Sequence, residues 1–257
     1  MRISHSVEEW LRCRSAINGE SIGFVPTMGA LHTGHASLIE RCRKESDIAV
    51  VSIFINPLQF NDPKDLERYP QTLDQDLSLL ERLGVEEVFI PPAVEIYPPG
   101  CRYYVDELST AAHMEGLHRP GFFRGVMTVV LKLLNLVRAD RAYFGEKDYQ
   151  QLRVISGMAS DFFIPTEIVA CSTVRQASGL AESSRNSLLS CDARRKAACI
   201  HRALTTASTS AAAQAMLEDD GFKVEYVEEH WGRRFAAVFL EGVRLIDNVP
   251  LPPGLES

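Results

Sequence analysis

The 257-residue chain has no excess of positive charge, no paired-cysteine motif and no apolar run of membrane-spanning length. Its formal net charge is −7, whereas a nucleic-acid-binding domain favours a basic face, so no nucleic-acid partner is expected. The six cysteines (Cys13, Cys42, Cys101, Cys171, Cys191 and Cys199) are scattered without a C-x-x-C pair, which fits reduced thiols in the cytosol. Spanning a bilayer takes about 20 apolar residues, and the N-terminus places Glu8 and Glu9 in an amphipathic start, not in a signal peptide. There is no internal repeat. These absences leave a cytoplasmic globular protein without a membrane partner, of one large or two modest domains.

What is present is an alternation of strands and helices. Ser6 and Glu9 read as a capping box for a first helix of about ten residues, ended near Asn18-Gly19. Ile22 to Val25 reads as a strand broken by Pro26 and Gly29, and a helix opens behind Gly34 with His35, Leu38, Ile39 and Cys42 on its buried face. Asp47 to Ile55 is a near-continuous β-branched run, as in a parallel strand buried on both sides, and Asn56-Pro57 stops it. Thr72 begins a helix with Leu73, Leu77, Leu80 and Leu83 inward, and Val88 to Ile90 is the third strand. The stretch 93–125 reads as irregular, and Val126 to Val137 as an apolar helix with Lys132 and Asn135 as polar interior positions. Arg141 to Phe144 and Glu167 to Cys171 complete five strands. The expected fold is α/β, a Rossmann-like doubly wound parallel sheet over residues 1–174. From 175 to 257 the texture changes to Ala-rich helices and three short strands, with Glu241-Gly242 as a hairpin turn, which predicts a smaller C-terminal α+β domain.

In such sheets ligands lie beyond the carboxyl ends of the strands. Met28 to His35, Asn56, Gln59 and Gly145 to Asp148 all follow expected strand ends. A strand, a Gly-containing loop and a helix N-terminus suit phosphate. His32-Thr33-Gly34-His35 has the His-x-Gly-His spacing of a nucleotidyltransferase superfamily, although two histidines three apart also suit a metal or an ordinary core. Ser183, Ser184 and Arg185 follow a Gly-containing loop and offer two hydroxyls and a planar fork of donors to phosphate oxygens. Lys147 fits a helix start poorly, which points to an anionic partner. There is no nucleophile–base–orienter triad.

Seven ordered blocks carry a resemblance over nearly the whole chain. P-T-M-G-A-L-H-T-G-H (26–35), S-I-F-I-N-P-L-Q-F (52–60) and Y-P-Q-T-L (69–73) are followed by R-P-G-F-F-R-G-V-M-T-V-V (119–130), F-G-E-K-D-Y-Q-Q-L (144–152) and S-S-R-N (183–186), with R-L-I-D-N (244–248) closing the series. The sequence resembles the pantothenate synthetases, or pantoate–β-alanine ligases. That resemblance implies an ATP-dependent ligation of pantoate and β-alanine through a pantoyl adenylate, with Mg²⁺ accompanying ATP, in a homodimer.

It also implies roles for individual residues. Met28, Gly29, Ala30, Leu31, His32, Thr33, Gly34 and His35 would surround the nucleotide phosphates, with His35 as proton donor or charge stabiliser and His32 beside it. Gly145, Glu146, Lys147, Asp148, Val174, Glu182, Ser183, Ser184 and Arg185 would also contact ATP. Lys147, Ser183, Ser184 and Arg185 would stabilise developing charge. Gln59 and Gln151 would hold pantoate from opposite sides, with Gln59 also near β-alanine. Asn56 would fix the phosphate end, and Val126, Val129 and Val130 would pack the dimethyl group. Asp76, then Asp74, would lie near Mg²⁺, and the C-terminal domain would act as a lid. Two positions depart from the family pattern: Glu182, where Leu or Met is usual, and Phe122, where His is common. The C-terminal domain is also short.

Overall fold

In the computed structural model, residues 1–61, 66–67 and 69–252 are described. Part of the Asp- and Pro-rich stretch from Leu58 to Pro70 therefore lies outside the described residues. The chain divides into two compact units. The first comprises Met1–Glu146 and Gln150–Cys171, and the second Lys147–Tyr149 and Ser172–Ser257. The short Lys147–Tyr149 turn thus groups with the second unit, which the sequence boundary at 174/175 did not anticipate.

The first unit is built on a six-stranded, wholly parallel sheet. Its strands are β1 (Arg2–Ser4), β2 (Ile22–Thr27), β3 (Ile48–Ile53), β4 (Glu87–Phe89), β5 (Arg141–Gly145) and β6 (Glu167–Cys171), in the order β1-β4-β3-β2-β5-β6. β1 is one strand more than the sequence pattern suggests, because three residues carry too little periodicity to stand out. Helices α1 (Val7–Ala16), α2 (Thr33–Glu45), α3 (Leu73–Arg82), α6 (Phe122–Val137) and α7 (Tyr149–Asp161) connect the strands, with two short helices, α4 (Ala93–Ile96) and α5 (Met114–His118), between β4 and α6. The segment expected to be irregular therefore contains two helical pieces, and α6 begins four residues earlier than its apolar run.

Side chains alternate across the sheet as strands require. Val25, Val51 and Ile53 pack with Ile39 and Cys42 of α2 and Leu80 of α3. On the other face, Trp10 of α1 stacks on Phe89 at 5.4 Å and donates through Nε1 to the Leu136 carbonyl of α6. Helices on both faces make the sheet doubly wound. Ser6 caps α1 by accepting from the Glu9 amide, while the Glu9 carboxylate takes the His5 amide.

Two local expectations are corrected. β2 runs through Pro26 to Thr27. The ladder from β2 to β5 ends at Phe24, so the missing Pro26 amide loses no partner on that side. On α3, Leu73 is exposed, and the fourth inward position is Asp76, which is 4% exposed.

The second unit contains α8 (Cys191–Ala197), α9 (Cys199–Thr206) and α10 (Ser210–Asp219), beside an antiparallel sheet β7-β8-β9 (Lys223–His230, Arg233–Leu240, Val243–Pro250). Ala197, Ile200, Leu204 and Leu217 pack against Ala236, Val238 and Leu245 to form its core. Both hairpins turn through two residues with positive φ, Trp231-Gly232 and Glu241-Gly242, the geometry whose twist matches the strands.

Candidate active site

In the first unit the strand order reverses at β2, whose neighbours β3 and β5 lead away in opposite directions, so a crevice is expected beyond their carboxyl ends. Met28 to His32 leave β2 there, the turn Pro57–Gln59 leaves β3, and Gly145 ends β5.

The loop after β2 is held by an acid on another element. Gly29 and Ala30 both have positive φ, +78° and +50°, and for Ala this conformation costs about 1 kcal/mol. The Asp76 carboxylate accepts from the Ala30 amide at 2.9 Å through Oδ2 and from the Leu31 amide at 2.8 Å through Oδ1. The Thr72 hydroxyl donates to the same Oδ2 at 3.2 Å. Charge-assisted bonds of this kind outweigh the strain of the turn. Asp76 sits in the first turn of α3, where a negative charge is favoured. Gly29 packs so closely that an added Cβ would lie 3.0 Å from Asp76 Oδ2.

The two histidines cap α2. His32 is the N-cap, and its Nδ1 accepts from the Gly34 amide at 3.1 Å. His35 Nδ1 accepts from the His32 amide at 3.4 Å, and the rings lie 4.1 Å apart. An accepting Nδ1 carries no proton, so each neutral ring is protonated at Nε2. Both rings are half-buried, which sets His35 at the rim of the helix face and not deep within it.

Asn56 is fully buried, and its amide is consumed internally. Its Nδ2 donates to the Gly125 carbonyl at 3.1 Å and to Gln59 Oε1 at 2.8 Å. Its Oδ1 accepts from the Leu58 amide at 3.3 Å and the Tyr97 hydroxyl at 2.9 Å. Asn56 thus supports Gln59 directly. Arg119 donates to the Gln59 carbonyl at 2.9 Å, pairs with Glu115 and lies 3.6 Å over the Phe122 ring, which gives that departure from the family pattern a packing role. Val126, Val129 and Val130 share one buried face of α6. Gln151 is half-buried on α7, while its neighbour Gln150 is turned inward to the Glu115 amide and the Thr110 and His113 carbonyls.

In the second unit, the Asn248 amide donates to the Lys147 carbonyl at 2.8 Å, and the Tyr149 ring contacts both Arg233 and Phe235. The Lys147 ammonium lies 3.9 Å from the Asp148 carboxylate. The Glu182 amide bonds the Val174 carbonyl at 2.9 Å, bringing those two expected nucleotide contacts together. Ser183 caps the turn Ser184–Leu188 by accepting from the Arg185 amide. Arg175 makes a two-pronged pair with the buried carboxylate of Asp247, at 2.7 and 2.9 Å. Both Asp247 and Asn248 belong to a quoted sequence block, yet nothing in the pattern disclosed what they hold.

No group of three or more His, Cys, Asp or Glu side chains able to cage a metal occurs among the described residues. Asp76 gives both carboxylate oxygens to backbone amides of the loop after β2. Among the described residues the donors do not form a protein cage for Mg²⁺.

Residues 1–250 match the family described as Pantoate-beta-alanine ligase. The chain belongs to that family. The ligase relatives include a pantothenate synthetase of Bdellovibrio bacteriovorus, 51% identical over 98% of each chain, and one of Legionella pneumophila (strain Corby), 49% identical over 96% of this chain and 99% of the other. Among solved structures, the pantoate-beta-alanine ligase of Francisella tularensis, complexed with beta-gamma ATP and beta-alanine, is 41% identical over 97% of both chains with a TM-score of 0.93. The pantothenate synthetase of Thermus thermophilus is 41% identical over 98% of this chain and all of that one, with a TM-score of 0.90. Ligases of this family share the present fold, a parallel sheet joined to a small antiparallel one, as expected from the sequence.

Proposed function

We infer that this chain ligates pantoate and β-alanine at the expense of ATP. The observation that carries the reading is family membership over residues 1–250, joined to a loop, Met28 to His35, whose backbone is locked at the sheet's switch point. A carboxylate oxygen of pantoate forms a bond to the α-phosphorus as the bond to pyrophosphate breaks. The amine of β-alanine then bonds the acyl carbon, AMP departs with the electron pair, and the amine loses a proton.

The substrate supplies its own nucleophile, so the protein's task is to position it and stabilise charge. His35 and His32 present Nε2–H donors to phosphoryl oxygens, because their Nδ1 atoms are occupied by the helix cap. Lys147, Ser183, Ser184 and Arg185 supply further donors to the phosphates, with Gly145, Glu146, Asp148, Val174 and Glu182 as neighbouring nucleotide contacts. Gln59 and Gln151 bind pantoate, Val126, Val129 and Val130 receive its apolar part, and Asn56 serves through Gln59. Mg²⁺ is assigned to the triphosphate itself, since Mg²⁺ keeps water and phosphate ligands readily, and no step is routed through it. The second unit is assigned as the lid, and the protein as a cytoplasmic homodimer.

With ATP, Mg²⁺ and pantoate, pyrophosphate should be released in proportion to enzyme, and AMP only after β-alanine is added. Pyrophosphate that stays absent with all substrates would overturn the reading. Sedimentation at micromolar concentration tests the dimer, and a monomer would remove that assignment.

A further inference from the structure

The polar chain that ends at Gln59 has a fixed direction. Asn56 touches two backbone groups that cannot exchange roles: the Leu58 N–H must donate to its Oδ1, and the Gly125 carbonyl must accept from its Nδ2. The side-chain amide of Asn56 can therefore be oriented only one way. Its second Nδ2 hydrogen goes to Gln59 Oε1, and its Oδ1 receives the hydroxyl proton of Tyr97. Burial pushes the Tyr97 phenol well above its ordinary value, so the hydroxyl keeps the proton it donates.

Tyr97 is itself held. It caps the C-terminus of α4, with its amide on the Ala93 carbonyl. Lys132, one of the polar interior positions of the α6 pattern, donates to the Ile96 carbonyl and sets its ammonium 4.7 Å over the Tyr97 ring. A cation over an aromatic face restrains the ring while leaving its hydroxyl to bond elsewhere.

We propose that Tyr97 is a positioning residue for the ligation: through Asn56 it fixes the Gln59 amide with its NH₂ end turned to the substrate, so that this position reads an acceptor oxygen of the hydroxy acid. The proposal rests on the assignment of pantoate to Gln59. It adds to the contact with pantoate, which the family resemblance gives to Gln59, a separate task, the orientation of that contact. It also gives Lys132 a function, since loss of its hold would free the tyrosine.

The test is a cycle of Tyr97→Phe, Gln59→Ala and the double variant, read as pantoate and ATP kinetics of pyrophosphate release. Tyr97→Phe keeps the ring and removes one hydrogen bond, so kcat/KM for pantoate should fall about three- to tenfold while KM for ATP is unchanged. In the Gln59→Ala background the same change should cost less than about twofold, because nothing remains for it to orient. Gln59→Glu, which has no donor to offer, should lose at least as much as Gln59→Ala. Equal losses for ATP and pantoate, a full additive loss in the double variant, or wild-type pantoate KM in Gln59→Glu would each overturn the proposal. Failure of the parent reading would be distinct: wild-type protein would then release no pyrophosphate with pantoate at all. Thermal unfolding of each variant identifies loss of fold, and Tyr97→Phe melting like the wild type is the expected result.

Discussion

Replacing Asp76 with Asn separates the anchoring role from metal ligation. The substitution keeps the shape of the side chain and one carbonyl oxygen, so one of the Ala30 and Leu31 amides retains an acceptor. The other meets the new NH₂ group, donor against donor. Losing a hydrogen bond to a charged group costs about 1.5–3 kcal/mol, and an unsatisfied buried N–H about 1–3 kcal/mol. These overlap, because both describe the same amide, and a net loss of about 2–4 kcal/mol follows. If the loop stays ordered at the expense of the whole unit, the melting temperature drops by about 5–15 °C, at about 2–4 °C per kcal/mol for a domain of this size. If the loop loosens alone, kcat/KM for ATP falls by about 30- to 1,000-fold, at about 1.36 kcal/mol per factor of ten. Scanning calorimetry and pyrophosphate release distinguish these outcomes. The dependence on Mg²⁺ concentration should be unchanged in either case. An unshifted melting temperature, together with activity restored by excess Mg²⁺, would refute the anchor and reinstate Asp76 as a metal ligand.

Lys147→Ala should slow adenylation by about 100- to 1,000-fold, the effect of losing one preorganised donor, and an unchanged pyrophosphate burst would remove Lys147 from that role. Glu182→Leu should leave activity intact or tighten ATP, since the substitution takes a carboxylate away from a polyanion; a severe loss, measured by ATP titration, would contradict this. Asp247→Ala strands the half-buried Arg175 and should destabilise the second unit by about 3–5 kcal/mol, seen as an earlier melting transition. Thiol labelling at about pH 8 should be fast at exposed Cys191 and slow at Cys13 and Cys42, because burial pushes Cys13 up to about 11 and Cys42 to about 12. Rapid modification of Cys42 in the folded protein would be inconsistent with its place on the buried face of α2.

The parallel sheet was legible because strands buried on both faces are written as long β-branched runs, as in Ile48–Ile53, and because turn residues punctuate them. Lengths carried the error: β1 is three residues long, and α4 and α5 are a single turn or little more, too short for periodicity to register. Pro26 misled because a local rule about missing amides gave way to a ladder that had already ended. Met28 to His32, Asn56, Gln59 and Gly145 follow the ends of β2, β3 and β5 in the first unit, because spacing along the chain fixes them there. Their supports were not legible. Asp76, Tyr97 and Arg119 act from 46, 41 and 60 residues away, and an isolated sequence records no partner across such distances. Asn56 is the clearest case, since its chemical type suited a ligand equally well until all four of its bonds were seen to end inside the protein.

The histidine caps of α2 have a consequence for how this site should be dissected. In each imidazole Nδ1 belongs to the architecture and Nε2 is the atom proposed above for the phosphates, so alanine removes both at once and its effect on rate would include an uncapped helix. Asparagine places an oxygen close to where Nδ1 stands and is among the preferred N-cap residues. At position 32 it would keep the helix start while erasing the outward donor, so comparing His32→Asn with His32→Ala divides the measured loss between scaffold and catalyst.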